Sequence, residues 1–217
     1  ADLRQLLQRA AGLGPEDIDL VVHSHLHRDH TGWNVVPSGE DGDGPLLPLF
    51  RKARHVIQRT EWAYWTSSPE LRARCAYEEN LEPLHDAGVI DLVDGEAELL
   101  PGLTVFPFPG HTPGHQVVRI GGGEHGQGAA YFIGDSLHQQ AQFAKPHWCP
   151  IFDWSPAAAV LSRKALLSRL ADEGAALLSP HLPFPGVGRV VHADDGAFRY
   201  DAVPAPEDRS NDLMELD

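Results

Sequence analysis

The sequence predicts a mixed fold, α/β or α+β, in which strands and helices pack in layers. Apolar runs of strand length recur along the 217 residues, segments with helical spacing lie between them, and turn residues separate the two. No repeat with a period of 20–50 residues is visible. One domain over residues 1–203 is expected, followed by a polar tail at 204–217.

The elements follow in order. Leu3, Leu6, Leu7 and Ala10 have helical spacing, and Gly12 and Gly14 stop the run. Ile18 to Val22 reads as a buried strand. Pro37 to Pro48 holds Gly39, Asp41, Gly42, Asp43 and Gly44 and reads as a surface loop. His55 to Gln58 is a short strand and Pro69 to Leu81 a helix. Val89 to Val93 and Leu103 to Phe108 are strands. Gln116 to Ile120 and Ala129 to Ile133 flank a glycine-rich stretch, which predicts a hairpin. Pro156 to Leu170 starts with Ser155 as cap and proline in the first turn, so it predicts a helix. Ala175 to Leu178 is a last buried strand.

Composition narrows the function. Formal net charge is −14, and such a field repels nucleic-acid phosphates. No apolar run is long enough for a membrane span. The first residues do not resemble a signal peptide, so a cytoplasmic setting is expected. Cys75 and Cys149 are the two cysteines, read as ordinary thiols in a reducing compartment. The 13 histidines exceed what packing needs.

Their densest cluster is His25-Leu26-His27-Arg28-Asp29-His30, directly after Leu20-Val21-Val22. In an extended segment His25 and His27 share a face, because side chains alternate. Asp29 and His30 then project from the turn. Four N/O ligands at a strand end suit zinc or a similar first-row metal. Four ligands so close crowd a single ion with an open position, so two adjacent ions are the better reading. The bland alternative is a chance histidine-rich loop. Three later strand ends argue against it, because each also delivers His or Asp: Gly110-His111-Thr112-Pro113-Gly114-His115, Gly134-Asp135, and Ser179-Pro180-His181.

In motif, order and spacing these segments resemble the metallo-β-lactamase superfamily. The resemblance implies an αββα sandwich with a two-metal site at one edge. By position, His25, His27 and His115 would hold one metal. Asp29, His30 and His181 would hold the second, and Asp135 would bridge them. His111 is then expected to support the site, donating to a backbone or carboxylate partner. An Asp within the hexad and an Asp bridge, with no Cys ligand, look like the hydrolase branches. The superfamily also implies several strands ahead of the hexad, which are missing here.

Between Thr104 and Val191 the likeness is closer. Gly134-Asp135-Ser136-Leu137-His138, Gln142-Phe143, Phe152-Asp153 and His181-Leu182-Pro183-Phe184-Pro185-Gly186-Val187-Gly188 resemble the methyl parathion hydrolase-like group, with acyl-homoserine lactonases as close relatives. Those lactonases tend to carry Tyr three residues after the bridging Asp; His138 stands there and agrees with the organophosphate-hydrolase-like group. His138 can face substrate, support a ligand or be structural.

The expected function is two-metal hydrolysis of an ester, lactone or phosphotriester by a metal-bridging hydroxide. Asp29 would ligate and orient or move a proton, with His138 as a second candidate catalytic residue. Zinc is the expected ion, with Mn, Fe and Co as alternatives. The partner is a small-molecule substrate, and a homodimer is left open. The rival readings are a glyoxalase II-like thioesterase and a non-catalytic metal-binding scaffold. No Gly-x-Ser-x-Gly elbow is present to suggest a serine nucleophile.

Overall fold

The computed structural model describes residues 2–39, 43–122, 128–193 and 196–205. Part of the glycine-rich stretch, part of the loop after Pro37 and most of the polar tail therefore lie outside the described residues. The chain divides into two compact units, Ala1–Asp94 and Gly95–Asp217.

The first unit opens with α1 (Leu3–Ala11). The Asp2 carboxylate caps it by accepting the Arg4 N–H at 2.9 Å, and Gly12 ends it in the left-handed region at φ 70°. Leu3 and Leu7 pack on a small core of Leu49, Phe50 and Ala53. β1 (Leu20–Val22) leads to the hexad. The segment expected to be a loop closes on itself at both ends: β2 (Val35–Pro37) pairs antiparallel with β3 (Leu46–Pro48). Gly39, Asp43 and Gly44 lie between the two strands. β4 (Arg54–Gln58) follows, and α2 (Arg59–Trp65) continues directly from it.

The helix expected over Pro69 to Leu81 is two helices, α3 (Pro69–Cys75) and α4 (Tyr77–Asn80). Ala76 between them is left-handed at φ 54°, a conformation that costs an L residue roughly 1–2 kcal/mol. The break leaves Cys75 and Tyr77 both buried in one cluster with Leu26, Ile57, Trp65 and Leu81. Each large apolar side chain fully buried contributes about 1.5–3 kcal/mol, which outweighs the strain. After α5 (Glu82–Asp86), β5 (Ile90–Val93) completes a parallel sheet in the order β1-β4-β5.

The second unit is built on a seven-stranded sheet. It begins with β6 (Ala97–Leu100), β7 (Leu103–Pro107), β8 (Gln116–Ile120) and β9 (Ala130–Phe132), each antiparallel to the one before. The expected hairpin is β8 and β9. Two helices follow, α6 (Ala141–Ala144) and α7 (Pro156–Glu173). The chain returns in β10 (Ala176–Leu178), parallel to β9, and finishes with β11 (Val187–His192) and β12 (Phe198–Ala202). The order is β12-β11-β10-β9-β8-β7-β6. Its core includes Val117, Tyr131, Ile133, Leu137, Leu166, Leu167, Leu170 and Leu177. The β9–β10 junction is the one parallel pairing in this sheet, spanned by a crossover that carries α7.

Candidate metal centre

In the first unit the hexad leaves β1 and turns through a short 3-10 segment, Arg28–His30. Leu26 points inward and is fully buried in the cluster around Trp65. His25 and His27 therefore share the opposite face, as strand alternation requires. The Nε2 of His25 lies 3.1 Å from the Nδ1 of His27, and the rings of His25 and His30 are 4.3 Å apart. Asp29 reaches back to within 3.4 Å of His30 Nε2 and keeps 64% of its side chain exposed, so its carboxylate stays accessible. Beneath the hexad sits Glu61, buried on α2. Its Oε1 accepts the Leu26 N–H at 3.0 Å and the Trp65 indole N–H at 2.7 Å. Sequence reading passed Glu61 over, since a lone glutamate in an exposed-looking helix turn carries no signal.

Behind the hexad, His23 Nε2 is 3.2 Å from His55 Nδ1. Burial, with His55 alongside, lowers the His23 pKa to about 3, and burial lowers His55 to about 4. Both are neutral packed histidines.

In the second unit the topology does the gathering. β9 and β10 run parallel with Phe132 opposite Leu178, and Asp135 and His181 are each the third residue beyond those positions. The two side chains meet, His181 Nε2 lying 3.1 Å from Asp135 Oδ1. Ligands at the carboxyl ends of adjacent parallel strands are a general property of such sheets. His138 Nε2 approaches Asp135 Oδ2 at 3.1 Å, its ring stacked on His181 and edge-on to Phe152. Asp135, His138 and His181 offer ligand atoms all within 4.8 Å of one another.

The loop between β7 and β8 carries His111 and His115, and here the expectation is corrected. His115 Nδ1 donates to the Phe108 carbonyl at 3.2 Å, and its Nε2 accepts the Asp135 backbone N–H at 3.0 Å. A carbonyl only accepts and an amide N–H only donates, so the tautomer is determined and both nitrogens are committed. His115 braces the Asp135 turn and has no lone pair left for a metal. His111 instead presents Nε2 to Asp135 Oδ2 at 3.3 Å, with Nδ1 3.0 Å from Asp153 Oδ1. The carboxylate partner expected for His111 is there, but its other nitrogen faces the cluster. Gly-His recurs at Gly110-His111 and Gly114-His115, so spacing alone could not separate the two.

The loop is held to the start of α7. Gly110 has φ 142°, and a side chain there would run into the Ala158–Ala159 backbone. The His111 and Gly110 carbonyls accept the Trp154 and Ser155 N–H groups at 3.0 and 2.9 Å. Gln142 fastens the other flank: its Oε1 accepts the His138 N–H at 2.7 Å and its Nε2 donates to the Trp148 carbonyl at 2.9 Å. A cavity of about 430 Å³ opens beside His138, lined by Gln139, Gln142, His147, Trp148, Cys149 and Pro150. Trp148, Ile151, Phe152 and Trp154 leave a large apolar surface exposed along the same loop.

The donor chemistry fits divalent metal. One buried carboxylate is faced by the Nε2 atoms of three imidazoles within 3.3 Å, and the first unit adds two imidazole nitrogens 3.1 Å apart. Nitrogens so close cannot both point protons at each other, whereas a cation accepts every lone pair. An all-N/O set suits zinc, with other first-row ions close behind. Both cysteines are free thiols; Cys149 lines the cavity beside His138, and burial raises Cys75 to about 11.

No family model matches the chain. Among curated proteins, an N-acyl homoserine lactonase from a Bacillus species is 31% identical over 112 residues, 52% of this chain and 36% of that protein. The N-acyl homoserine lactonase AttM of Azorhizobium caulinodans is 35% identical over 123 residues, 52% of this chain and 40% of that protein. The chain thus spans well under two thirds of the length of these relatives. Among solved structures, AidC, a dizinc quorum-quenching lactonase in complex with an N-acyl-L-homoserine product, superposes with a TM-score of 0.77 at 24% identity, over 95% of this chain and 73% of that one. The hydrolase AbOPH of the β-lactamase superfamily gives 0.75 at 24%, over 92% and 69%. These likenesses show the fold: it is mixed α/β and of the metallo-β-lactamase type.

Proposed function

We propose that this chain, with its metallo-β-lactamase fold, is the metal-binding part of a hydrolase that uses two divalent cations to open a lactone. The observation that carries the reading is the Asp135 carboxylate, buried and faced by the Nε2 atoms of His111, His138 and His181. His25, His27, Asp29 and His30 would supply the ligands of the first unit, and His111 and His181 those of the second. Asp135 would be the carboxylate ligand beside His111 and His181. His111 replaces His115 in this set, because the main chain already holds both nitrogens of His115.

Bound there, such cations supply Lewis acidity toward a carbonyl or phosphoryl oxygen and bring the pKa of water to near neutrality. The chain's own residues do the rest. Asp29, accessible and next to His30, is placed to orient water and accept its proton. His138 Nε2 beside Asp135 is placed to give a proton to the departing alkoxide. The cavity next to His138 would accept the body of the substrate.

The lactone is favoured over the phosphotriester because the curated relatives are named lactonases. His138 agrees with the phosphotriester instead, so that substrate is the second reading. The test is metal analysis together with a panel of acyl-homoserine lactones, phosphotriesters, aryl esters and thioesters. About two metals per chain, lactone turnover and its loss on chelation are expected. Undiminished turnover in metal-free protein overturns the metal reading; thioester preference moves the assignment to a glyoxalase II-like activity. Two tightly bound metals with no turnover on any substrate leave the scaffold reading.

A further inference from the structure

Arg163 occupies the buried stripe of α7 with Ala159, Leu166, Leu167 and Leu170, and it is 1% exposed. A guanidinium in an apolar stripe is costly unless every donor is used. Its Nε donates to the Ser136 carbonyl at 2.8 Å, and Nη1 donates to the Pro146 and Trp148 carbonyls at 2.8 and 2.9 Å. Nη2 faces Asp153 Oδ2 at 3.6 Å. The Asp153 side chain is fully buried, and its other oxygen meets His111 Nδ1 at 3.0 Å. Arg163, Asp153 and His111 thus form a buried chain that ends at Asp135. Its root, the Ser136 carbonyl, lies in the turn that carries Asp135.

We propose that Asp153 and Arg163 are positioning residues that set the tautomer of His111 and aim its Nε2 at the metal. This rests on the reading of His111 and Asp135 as metal ligands. Both neighbouring carboxylates can take the imidazole proton, and Asp153, nearer at 3.0 Å than Asp135 at 3.3 Å, draws it to Nδ1, which leaves the Nε2 lone pair for the cation. Arg163 faces the carboxylate at 3.6 Å and, with its other donors tied to three carbonyls, restrains it from swinging. The loop thereby uses two means for two histidines: main-chain groups hold His115 in a bracing role, and a buried ion pair holds His111 in a ligating one. An Asn at position 153 lacks this property, because its amide can turn and donate to Nδ1, which moves the proton onto Nε2.

The experiment compares the present chain with Asp153→Asn, Asp153→Ala and Arg163→Met. Zinc affinity is read by competition with a chromophoric chelator, the His111 tautomer by imidazole ¹⁵N shifts of zinc-free protein at alkaline pH, and folding by Tm. The unsubstituted chain should show His111 protonated on Nδ1. Asp153→Ala should weaken one of two zinc ions by about 10–100-fold, the usual cost of losing a carboxylate behind a ligating histidine. Asp153→Asn, nearly the same size, should keep Tm within a few degrees, weaken the same ion and shift the proton toward Nε2. Arg163→Met should follow Asp153→Asn in direction. Asp153→Asn with unchanged zinc affinity and an unchanged tautomer overturns the proposal. So does an Nε2-protonated His111 in the unsubstituted chain, a readout that needs no variant to fold. Absence of zinc binding by the unsubstituted chain refutes the hydrolase reading alone, since the tautomer is measured without metal.

Discussion

The two units collect their candidate ligands by opposite means. In the first, His25, His27, Asp29 and His30 lie within six consecutive residues, and a strand end followed by a tight turn is enough to bring them together. In the second, His111, Asp135 and His181 come from three separate connections, and only the strand order unites them. The local set depends on what lies beneath it: Leu26 in its core and Glu61 under the backbone. The dispersed set depends on register, above all Phe132 opposite Leu178. A local motif can be read from spacing, whereas a dispersed one can be read only to the nearest loop.

The sharpest way to test that contrast is to remove the group at the centre of the dispersed set. Asp135→Ala should reduce hydrolysis to the level of chelated protein and lower metal content below two per chain, measured by turnover and metal analysis. Unchanged metal content would break the idea that one carboxylate organises this half. Next in size is the His111 and His115 pair. His111→Ala should lose metal per folded molecule, beyond the stability it loses by stranding the Asp153 oxygen. His115→Ala should retain metal per folded molecule yet lose about 1–3 kcal/mol, because it strands the Asp135 N–H and the Phe108 carbonyl. Titration calorimetry with zinc and denaturant melts of both variants separate the outcomes. If His115→Ala alone loses metal, the assignment of roles is reversed.

The local set is probed by Glu61→Ala, which removes an ionised acceptor from two donors and should cost about 3 kcal/mol. Glu61→Gln keeps one oxygen acceptor and should recover part of that loss in a denaturant melt. Acid acts gradually on the same unit. His23 and His55 have pKa values lowered to about 3 and about 4 in the fold, against about 6.5 unfolded. Above pH 6.5 neither state takes a proton and the stability is complete. As pH falls below 6.5 the unfolded chain binds protons that the folded chain refuses, so stability drops by about 1.4 kcal/mol per pH unit for each histidine. His55→Gln should flatten that slope in metal-free protein.

The same contrast explains how far the sequence could be read. The hexad, the β8–β9 hairpin and the capped α7 are local signals, and each has its expected place. β6, β11, β12 and α2 escaped because few of their side chains are fully buried, so their apolar periodicity is weak. The break at Ala76 is a decision of the core, since it buries Cys75 and Tyr77 together at the expense of local conformation. At the site the failure is more specific. Two Gly-His pairs compete for one ligand position, and the hydrogen bonds that choose between them come from Asp153 and from the Asp135 main chain. Arg163 escaped for the reason it matters: in a helical stripe a charged residue reads as outward-facing, and this one faces in.

The parallel junction in the second sheet has a consequence for how such a protein can vary. Asp135 opens the long crossover from β9 to β10 and His181 follows β10, yet their separation is set by the pairing of Phe132 with Leu178 and not by the length of chain between them. Exposed stretches of that crossover, where Ile151, Phe152 and Trp154 present their apolar surface, can be lengthened, shortened or rewritten while the metal-facing atoms stay in place. The requirement is that Asp153 and Arg163 keep their partners. Substrate preference and the candidate metal centre would then be separable traits, and a library confined to the side chains of residues 147, 148, 150 and 151 should change one without disturbing the other.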